Sequence, residues 1–196
     1  PSITAEEAPR LKPFAALAEK LGAFAGQIVD EGLEEVAIEY EGDVTKLNMK
    51  PLTAAALAGV LRPLLQDVNV VSAPALMKER GATLTESTRE TSPTYDSLIR
   101  LKVKTGGGWR TLAGAVIAGQ PRIVEVKGMA LEAPFQPNTL YINNSDKPGF
   151  IGALGTLLGD AQINIATFHL GREAAGAEAI FPLIAAADLV VIFIPT

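Results

Sequence analysis

Hydrophobic residues at the start of the chain recur with the spacing of a helix. The apolar positions are Leu11, Phe14, Leu17, Leu21, Phe24 and Ile28. A repeat of three to four residues predicts one long amphipathic helix, which ends near Gly26 or shortly after it. Residues 4–7 have the spacing of a capping box, whereas Pro9 favours a start closer to itself, so both starts stay open.

The pattern then changes to a mixture of strands and helices. Residues 36–40 alternate between apolar and polar side chains, which predicts a strand that ends in a turn at Gly42. Helices are predicted at residues 51–65 and 73–80, the second with Ser72 as its N-cap and Gly81 at its end. Five strand-like segments follow, at residues 82–87, 98–105, 110–117, 122–126 and 129–132, with the three glycines 106–108 as a hairpin turn.

Two prolines interrupt the pattern at residues 133–138, and we place a domain boundary there. Beyond it the pattern predicts a strand at 140–144, a helix at 149–161, a strand at 163–170 and a final pair of strands at 178–184 and 189–194. A strand–helix–strand order followed by further strands indicates a ferredoxin-like unit. The predicted fold class is therefore α+β: one long helix, then a mixed-sheet domain, then a ferredoxin-like domain.

Composition narrows the classes of function. The 196 residues are 48% hydrophobic, which is enough for packed cores, and the formal net charge of -5 argues against a general binder of nucleic acid or of anionic membranes. The absence of cysteine excludes disulfides, thiolate metal sites and a thiol nucleophile, and it is compatible with a cytoplasmic location. The first 13 residues lack the pattern of a signal peptide, and the apolar stretch 179–195 is too short and too interrupted to span a bilayer.

The loop before the predicted helix of the second unit is the segment that best indicates chemistry. Gly149 lets the backbone approach a ligand, and the amides that begin the helix there, including that of Phe150, are suited to a carboxylate. Asp146 supplies a partner for an ammonium group, while Asn144 and Asn164 supply amide donors and acceptors. Together these groups describe a site for a small amino acid. A capped turn explains the same spacing, and spacing alone favours that interpretation.

Three segments resemble the opening of an ACT regulatory domain. They are residues 140–149 (Leu-Tyr-Ile-Asn-Asn-Ser-Asp-Lys-Pro-Gly), 151–158 and 163–165. Upstream, residues 57–61, 68–81 and 121–128 resemble the intervening domain of the long form of the D-3-phosphoglycerate dehydrogenase family. The run Asn-x-x-x-Ala-Pro-x-x-x-Lys-Glu-Arg-Gly, combined with a following ACT start, is the specific part of this resemblance, which extends over nearly the whole chain to residue 180.

The resemblance implies that the chain is the regulatory C-terminal portion of such an enzyme, and a start without methionine also suggests a piece of a longer protein. It implies a helix returning from the catalytic half (residues 1–28), an intervening domain (29–136) and an ACT domain (137–196). The NAD-binding and catalytic residues would then lie outside this chain, which we expect to be inactive alone. After residue 180 there is no room for a second ACT helix, and Pro182 occupies an expected strand, so we expect a truncated or irregular ACT domain there.

The resemblance also implies ligands and partners. L-serine would act as feedback effector of serine biosynthesis, bound between two subunits of a homodimer or homotetramer. The implied effector-binding residues are Asn144, Asp146, Pro148, Gly149, Phe150 and Asn164. A possible anion site for substrate-like phosphates would use Lys78, Arg80 and Arg122, although a solvated helix face paired with Glu79 and Asp67 also explains these charges. The lone His169 is expected on a strand in or near an interface rather than in catalysis.

Two other classes of protein contain a domain of one of these kinds. A free-standing amino-acid sensor with an ACT module would carry the same loop, and a nucleotide-binding region upstream in the same reading frame would distinguish the two. A serine dehydratase carries a related intervening domain, but it needs a cysteine-ligated iron–sulfur cluster and this chain has no cysteine.

Overall fold

The computed structural model describes residues 7–29, 32–143, 149–171 and 189–193 of the chain. Its helices are α1 (Ala8–Gln27), α2 (Lys50–Leu61), α3 (Ala73–Glu79) and α4 (Phe150–Asp160). Its strands are β1 (Leu33–Gly42), β2 (Thr83–Arg89), β3 (Ser97–Thr105), β4 (Gly108–Ile117), β5 (Gln120–Val126), β6 (Met129–Pro134), β7 (Thr139–Asn143), β8 (Thr167–Gly171) and β9 (Leu189–Phe193). A short 3-10 turn at Asp43–Lys46 follows β1.

The first six strands form one mixed sheet in the order β2-β1-β3-β4-β5-β6. Strands β1 and β2 are parallel, and every other neighbouring pair in this sheet is antiparallel. The register aligns Ile38, Leu101, Leu112 and Val126 in one row across four strands, and all four side chains are buried. Since alternate residues of a strand point to opposite faces, this row marks the face that α1 and α2 cover. The predicted α+β class with a mixed sheet is confirmed.

The opposite face of this sheet combines a small buried apolar cluster, formed by Leu98, Ala113, Ala115 and Val124, with a group of ion pairs. Arg100 on β3 lies between the carboxylates of Glu41 and Glu125, with its Nε 3.6 Å from Glu41 Oε1. Glu39 forms a further pair with Arg89, at 3.0 Å. Because Arg100 is shared by several carboxylates, the charged groups of this face neutralise one another, and Glu41 is tolerated although only 2% of its surface is exposed.

Helices α1 and α2 cross at very short distance through glycines. A Cβ atom added at Gly22 would lie 2.1 Å from the carbonyl oxygen of Ala56, and one at Gly26 would lie 2.2 Å from that of Val60. From the other helix, a Cβ at Gly59 would meet the carbonyl oxygen of Glu19 at 2.3 Å. Only glycine lets the two backbones approach so closely. The long opening helix is part of the same core as the six-stranded sheet, since buried residues of both belong to one hydrophobic cluster.

The last strands form a separate three-stranded sheet in the order β7-β9-β8. Strand β9 is antiparallel to both of its neighbours, so β7 and β8 run parallel with a gap of one strand between them, and α4 connects them. This split strand–helix–strand arrangement is the core of a ferredoxin-like fold, as the sequence predicted. Strand β8 also lies against β6 of the larger sheet.

One predicted boundary and one predicted cap differ from the structure. Helix α2 ends at Leu61 rather than at residue 65, because Pro63 has no amide hydrogen to donate to a helical hydrogen bond. Ser72 occupies the N-cap position of α3 without a side-chain cap. Instead the side chain of Asn69 accepts hydrogen bonds from the amides of Val71 and Ser72, at 2.9 and 3.0 Å. The predicted strand at 178–184 lies outside the described residues.

Candidate functional site

Helix α4 begins directly after a glycine in a left-handed conformation. Gly149 has φ = +89°, which glycine adopts without strain, and its carbonyl accepts the first helical hydrogen bond, from the amide of Ala153 at 2.9 Å. No described side chain caps this end of the helix. The amides of the first turn, starting at Phe150, therefore carry partial positive charge and are suited to a carboxylate ligand. The other predicted members of this loop, Asn144, Asp146 and Pro148, lie outside the described residues.

The side chain of Phe150 anchors this helix end. Phe150 and Leu154 pack with the buried Leu158 on the inner face of α4, together with the apolar residues of the sheet beneath. On the outer face, Ile151 and Leu157 are exposed by 56% and 66%. The ring of Phe150, a predicted effector residue, therefore belongs to the core, and its backbone amide is the group that would remain for a ligand.

Asn164 lies at the other end of α4. The prediction that it opens a strand is wrong, since residues 163–165 form a connection and β8 begins at Thr167. Asn164 is exposed. The 11 residues of α4 span about 16 Å, so Gly149 and Asn164 flank opposite ends of a helix of that length. The expectation that the fold of one chain would bring Asn164 toward the loop is also wrong, because α4 separates them.

The predicted anion-site residues are not brought together. Lys78 and Arg80 are exposed at the end of α3, which packs beside the edge strand β2. Arg122 is on β5, four strand spacings from β2, or roughly 19 Å at the usual separation of strands. A small ligand that contacts Arg122 therefore cannot also contact Lys78 or Arg80 of the same chain.

Arg122 nevertheless has an unusual environment. Its Nε is buried and has no hydrogen-bond partner among the described residues. The charge of Arg122 affects His169 of β8. Burial lowers the pKa of His169, Arg122 lowers this pKa further, and Glu132 on β6 raises it. The prediction that His169 lies on a strand is confirmed. No motif marks Glu132 in the sequence, and only the contact of β8 with β6 brings it into this group.

Across residues 7–29, 32–143, 149–171 and 189–193, no three His, Asp or Glu side chains are grouped so that they could hold a metal ion. None of the described helices has the length and the apolar composition that crossing a membrane requires.

Comparison with known proteins places the chain. Residues 10–127 match the family model of the D-3-phosphoglycerate dehydrogenase intervening domain. A D-3-phosphoglycerate dehydrogenase from Bacillus subtilis is 37% identical over 186 residues, and one from Methanocaldococcus jannaschii is 34% identical over 186 residues. Each alignment covers 93% of this chain but 35% of the relative, so the chain spans about a third of the length of these enzymes. The chain therefore belongs to the D-3-phosphoglycerate dehydrogenase intervening-domain family.

Proposed function

We propose that this chain is the regulatory portion of an NAD-dependent D-3-phosphoglycerate dehydrogenase of L-serine biosynthesis, and that it binds L-serine as feedback effector. The relatives named D-3-phosphoglycerate dehydrogenase support this, because they align over 93% of the chain, well beyond the intervening domain. Catalysis and NAD binding would reside in the remaining two thirds of such an enzyme. The chain alone is expected to show no oxidation of 3-phosphoglycerate.

The observation that carries the effector proposal is the start of α4 after the left-handed Gly149, where the amides of the first turn have no partner within the helix. The ligand carboxylate would accept hydrogen bonds from the first-turn amides, where the helix dipole favours negative charge. Asp146, three residues before Gly149 in sequence, would hold the ammonium group.

The second half of the site would come from another subunit. Gly149 and Asn164 flank opposite ends of a helix about 16 Å long, so one serine cannot contact both within one chain. In a twofold dimer, the loop of one subunit can face Asn164 of the other, and each dimer then holds two equivalent sites. Exposed Ile151 and Leu157 on α4 supply apolar surface that a second copy could cover. This supports a homodimer or a tetramer built from such dimers.

Serine at this boundary would act by favouring one arrangement of the subunits. An effector shifts an equilibrium only by its difference in affinity for the two states. A ligand that bridges two subunits meets this requirement, because it binds completely only when both halves of the site are in contact.

Calorimetric titration with L-serine and D-serine tests the proposal. Asp146→Ala removes a charge-assisted contact, so L-serine affinity should fall about ten- to a hundredfold, and Asn164→Ala should weaken it less. Glu90→Ala is the matched control, since it removes one exposed carboxylate after β2 and should leave affinity unchanged. Equal L-serine affinity in wild type and Asp146→Ala, or no preference for the L form, would contradict the proposal.

The buried Nε of Arg122, which has no hydrogen-bond partner among the described residues, favours a second function, an anion site for substrate-like phosphates. Lys78 and Arg80 would belong to a separate exposed patch. Inorganic phosphate should bind wild type and Lys78→Gln equally and Arg122→Gln at least several-fold more weakly, as measured by calorimetry. The alternative of a free-standing amino-acid sensor predicts the same serine binding without an upstream catalytic region in the same reading frame.

A further inference from the structure

A cleft of about 450 Å³ lies between the last turns of α1 and the linker that leads to β7. Lys20, Phe24 and Gln27 line one wall, at the spacing that puts residues of a helix on one face. Phe135 of the linker and Tyr141 of β7 line the other wall. Its volume lies within the range of roughly 300–1,000 Å³ that is typical of small-molecule sites. The cleft is formed entirely by described residues and is separate from the start of α4.

The cleft combines aromatic walls with positive charge. Lys20 is the charged residue among those that line it, and its ammonium lies 5.9 Å from the ring centroid of Phe135. None of the ion pairs among the described residues includes Lys20. At the far end, Arg110 donates a hydrogen bond from Nε to the carbonyl oxygen of Ile28, which also lines the cleft, at 3.2 Å. A protein of net charge -5 thus has a locally positive, largely apolar cleft.

We propose that this cleft binds a small aromatic carboxylic acid. The ring of the ligand would pack among Phe24, Phe135 and Tyr141, and its carboxylate would pair with the ammonium of Lys20. An inorganic anion would leave the aromatic walls uncovered, and a neutral aromatic compound would leave Lys20 without a counter-charge. The two features are satisfied together only by a ligand that has both an apolar ring and a negative charge.

Binding here would have a structural consequence. The cleft joins α1, which packs into the core of the six-stranded sheet, to β7, which belongs to the three-stranded sheet. A ligand that contacts both walls stabilises the arrangement in which the two sheets are held together, by an amount that grows with its concentration. The inference does not depend on serine binding, since it uses none of the residues of the effector site.

Calorimetric titration of the full chain with 2-naphthoate tests the proposal. Wild type should bind with one site per chain, and Lys20→Gln should bind at least tenfold more weakly because the charge is lost while most of the side chain remains. Lys12→Gln is the matched control, since Lys12 is an exposed lysine of the same helix outside the cleft. It should bind as wild type does.

A neutral analogue separates the two parts of the site. 2-Naphthamide should bind wild type and Lys20→Gln with equal, weaker affinity, and inorganic phosphate should not compete with 2-naphthoate. Chemical-shift changes of the side-chain amides of Gln27 and Gln136 would locate the ligand in the cleft. The proposal is overturned if 2-naphthoate does not saturate, if Lys20→Gln binds it as tightly as wild type, or if phosphate displaces it.

Discussion

The ring of Phe24 meets the ring of Tyr141 edge-on, with centroids 5.5 Å apart and planes inclined by 79°. Phe24 belongs to α1 and Tyr141 to β7, so this pair fastens the three-stranded sheet to the helical layer of the larger one. The hydroxyl of Tyr141 is buried and has no hydrogen-bond partner among the described residues. Burial raises the pKa of Tyr141, and nearby Arg110 acts in the opposite direction. We therefore expect the two rings, and not the hydroxyl of Tyr141, to provide the stabilisation at this contact.

This division of the energy predicts opposite effects of two substitutions at one position. Tyr141→Phe keeps the ring and removes a hydroxyl that has no partner in the part of the chain that the structure describes, so the free energy of unfolding should stay the same or rise by up to about 1 kcal/mol. Tyr141→Ala removes the ring, and because the side chain is half-buried the loss should be about 1–3 kcal/mol. Urea denaturation measures both. A clear loss in Tyr141→Phe would show that the hydroxyl has a partner.

The close crossing of α1 and α2 gives a second prediction. Gly22→Ala places a methyl group where the carbonyl of Ala56 lies, so the helices must separate, at a cost of about 1–3 kcal/mol or more. In a helix interior the same substitution otherwise stabilises, by roughly 0.5–1 kcal/mol. Gly155→Ala in α4 is the control, because a Cβ there meets nothing within 4 Å. Thermal unfolding should show a lower midpoint for Gly22→Ala and not for Gly155→Ala.

Hydrogen bonds that link the buried residues Tyr40 and Thr53 to the exposed Glu86 of β2 allow a double-mutant cycle. Thr53 donates its hydroxyl hydrogen to the carboxylate of Glu86, so the phenol of the buried Tyr40 must donate to Thr53 Oγ1, 2.8 Å away. Thr53→Val would leave the Tyr40 hydroxyl buried without an acceptor, which costs about 1–3 kcal/mol. Tyr40→Phe should be milder, because Thr53 keeps Glu86.

The double variant distinguishes this chain of hydrogen bonds from simple packing. On the Thr53→Val background, Tyr40→Phe should cost nothing or restore stability, since the unsatisfied hydroxyl is removed. Strict additivity of the two free energies in urea denaturation would mean that the two side chains do not interact.

These cases also show what the sequence can and cannot predict. The spacing of Leu17, Leu21 and Phe24 predicts α1, and Gly81 predicts the end of α3, because both signals are local. In sequence, Gly22 and Gly59 only weaken their helices. Their role depends on which backbone lies opposite, and that is decided by the tertiary fold.

Some features of the candidate site could also be predicted from the local sequence, and others could not. The Pro-Gly pair in the sequence predicts that α4 begins at Gly149, and the helix does begin directly after this residue. The distance between Arg122 and Lys78 depends on the order of strands in the sheet, which local patterns do not contain. The separation of Gly149 from Asn164 follows from the predicted helix itself, once its length of about 16 Å is considered.

His169 makes a pH dependence of stability measurable. Burial and the charge of Arg122 lower the pKa of His169 in the folded protein, despite Glu132, so the unfolded chain takes up a proton first as the pH falls. Stability should therefore be complete above the ordinary histidine pKa of about 6.5, decrease as the pH drops through it, and level off below the lowered pKa. Urea denaturation between pH 5 and 8 measures this change in the free energy of unfolding, which should be absent in His169→Gln.

The cause of the shift has its own test. The chain has one histidine, so its ring resonance can be titrated by NMR without assignment. Arg122→Gln should raise the pKa of His169 and Glu132→Gln should lower it, because the two charges act in opposite directions. A pKa in the wild type at or above the ordinary value would contradict the assigned environment.

The proposed serine site, shared between two subunits, leads to a complementation prediction. Each site would take its loop with Asp146 from one chain and Asn164 from the other. A dimer of one Asp146→Ala chain and one Asn164→Ala chain would then hold one site with both defects and one intact site. Each variant alone has only damaged sites. Mixing the two variants and allowing subunit exchange should therefore restore tight L-serine binding in about a quarter of all sites, since about half of the randomly formed dimers are mixed. Calorimetry measures this fraction as the stoichiometry of the tight phase.

The double variant Asp146→Ala/Asn164→Ala mixed with Asp146→Ala is the control, because no pairing of those chains rebuilds an intact site. If the site lay within one chain, no mixture of the two single variants would recover tight binding, because every chain would still carry a defect.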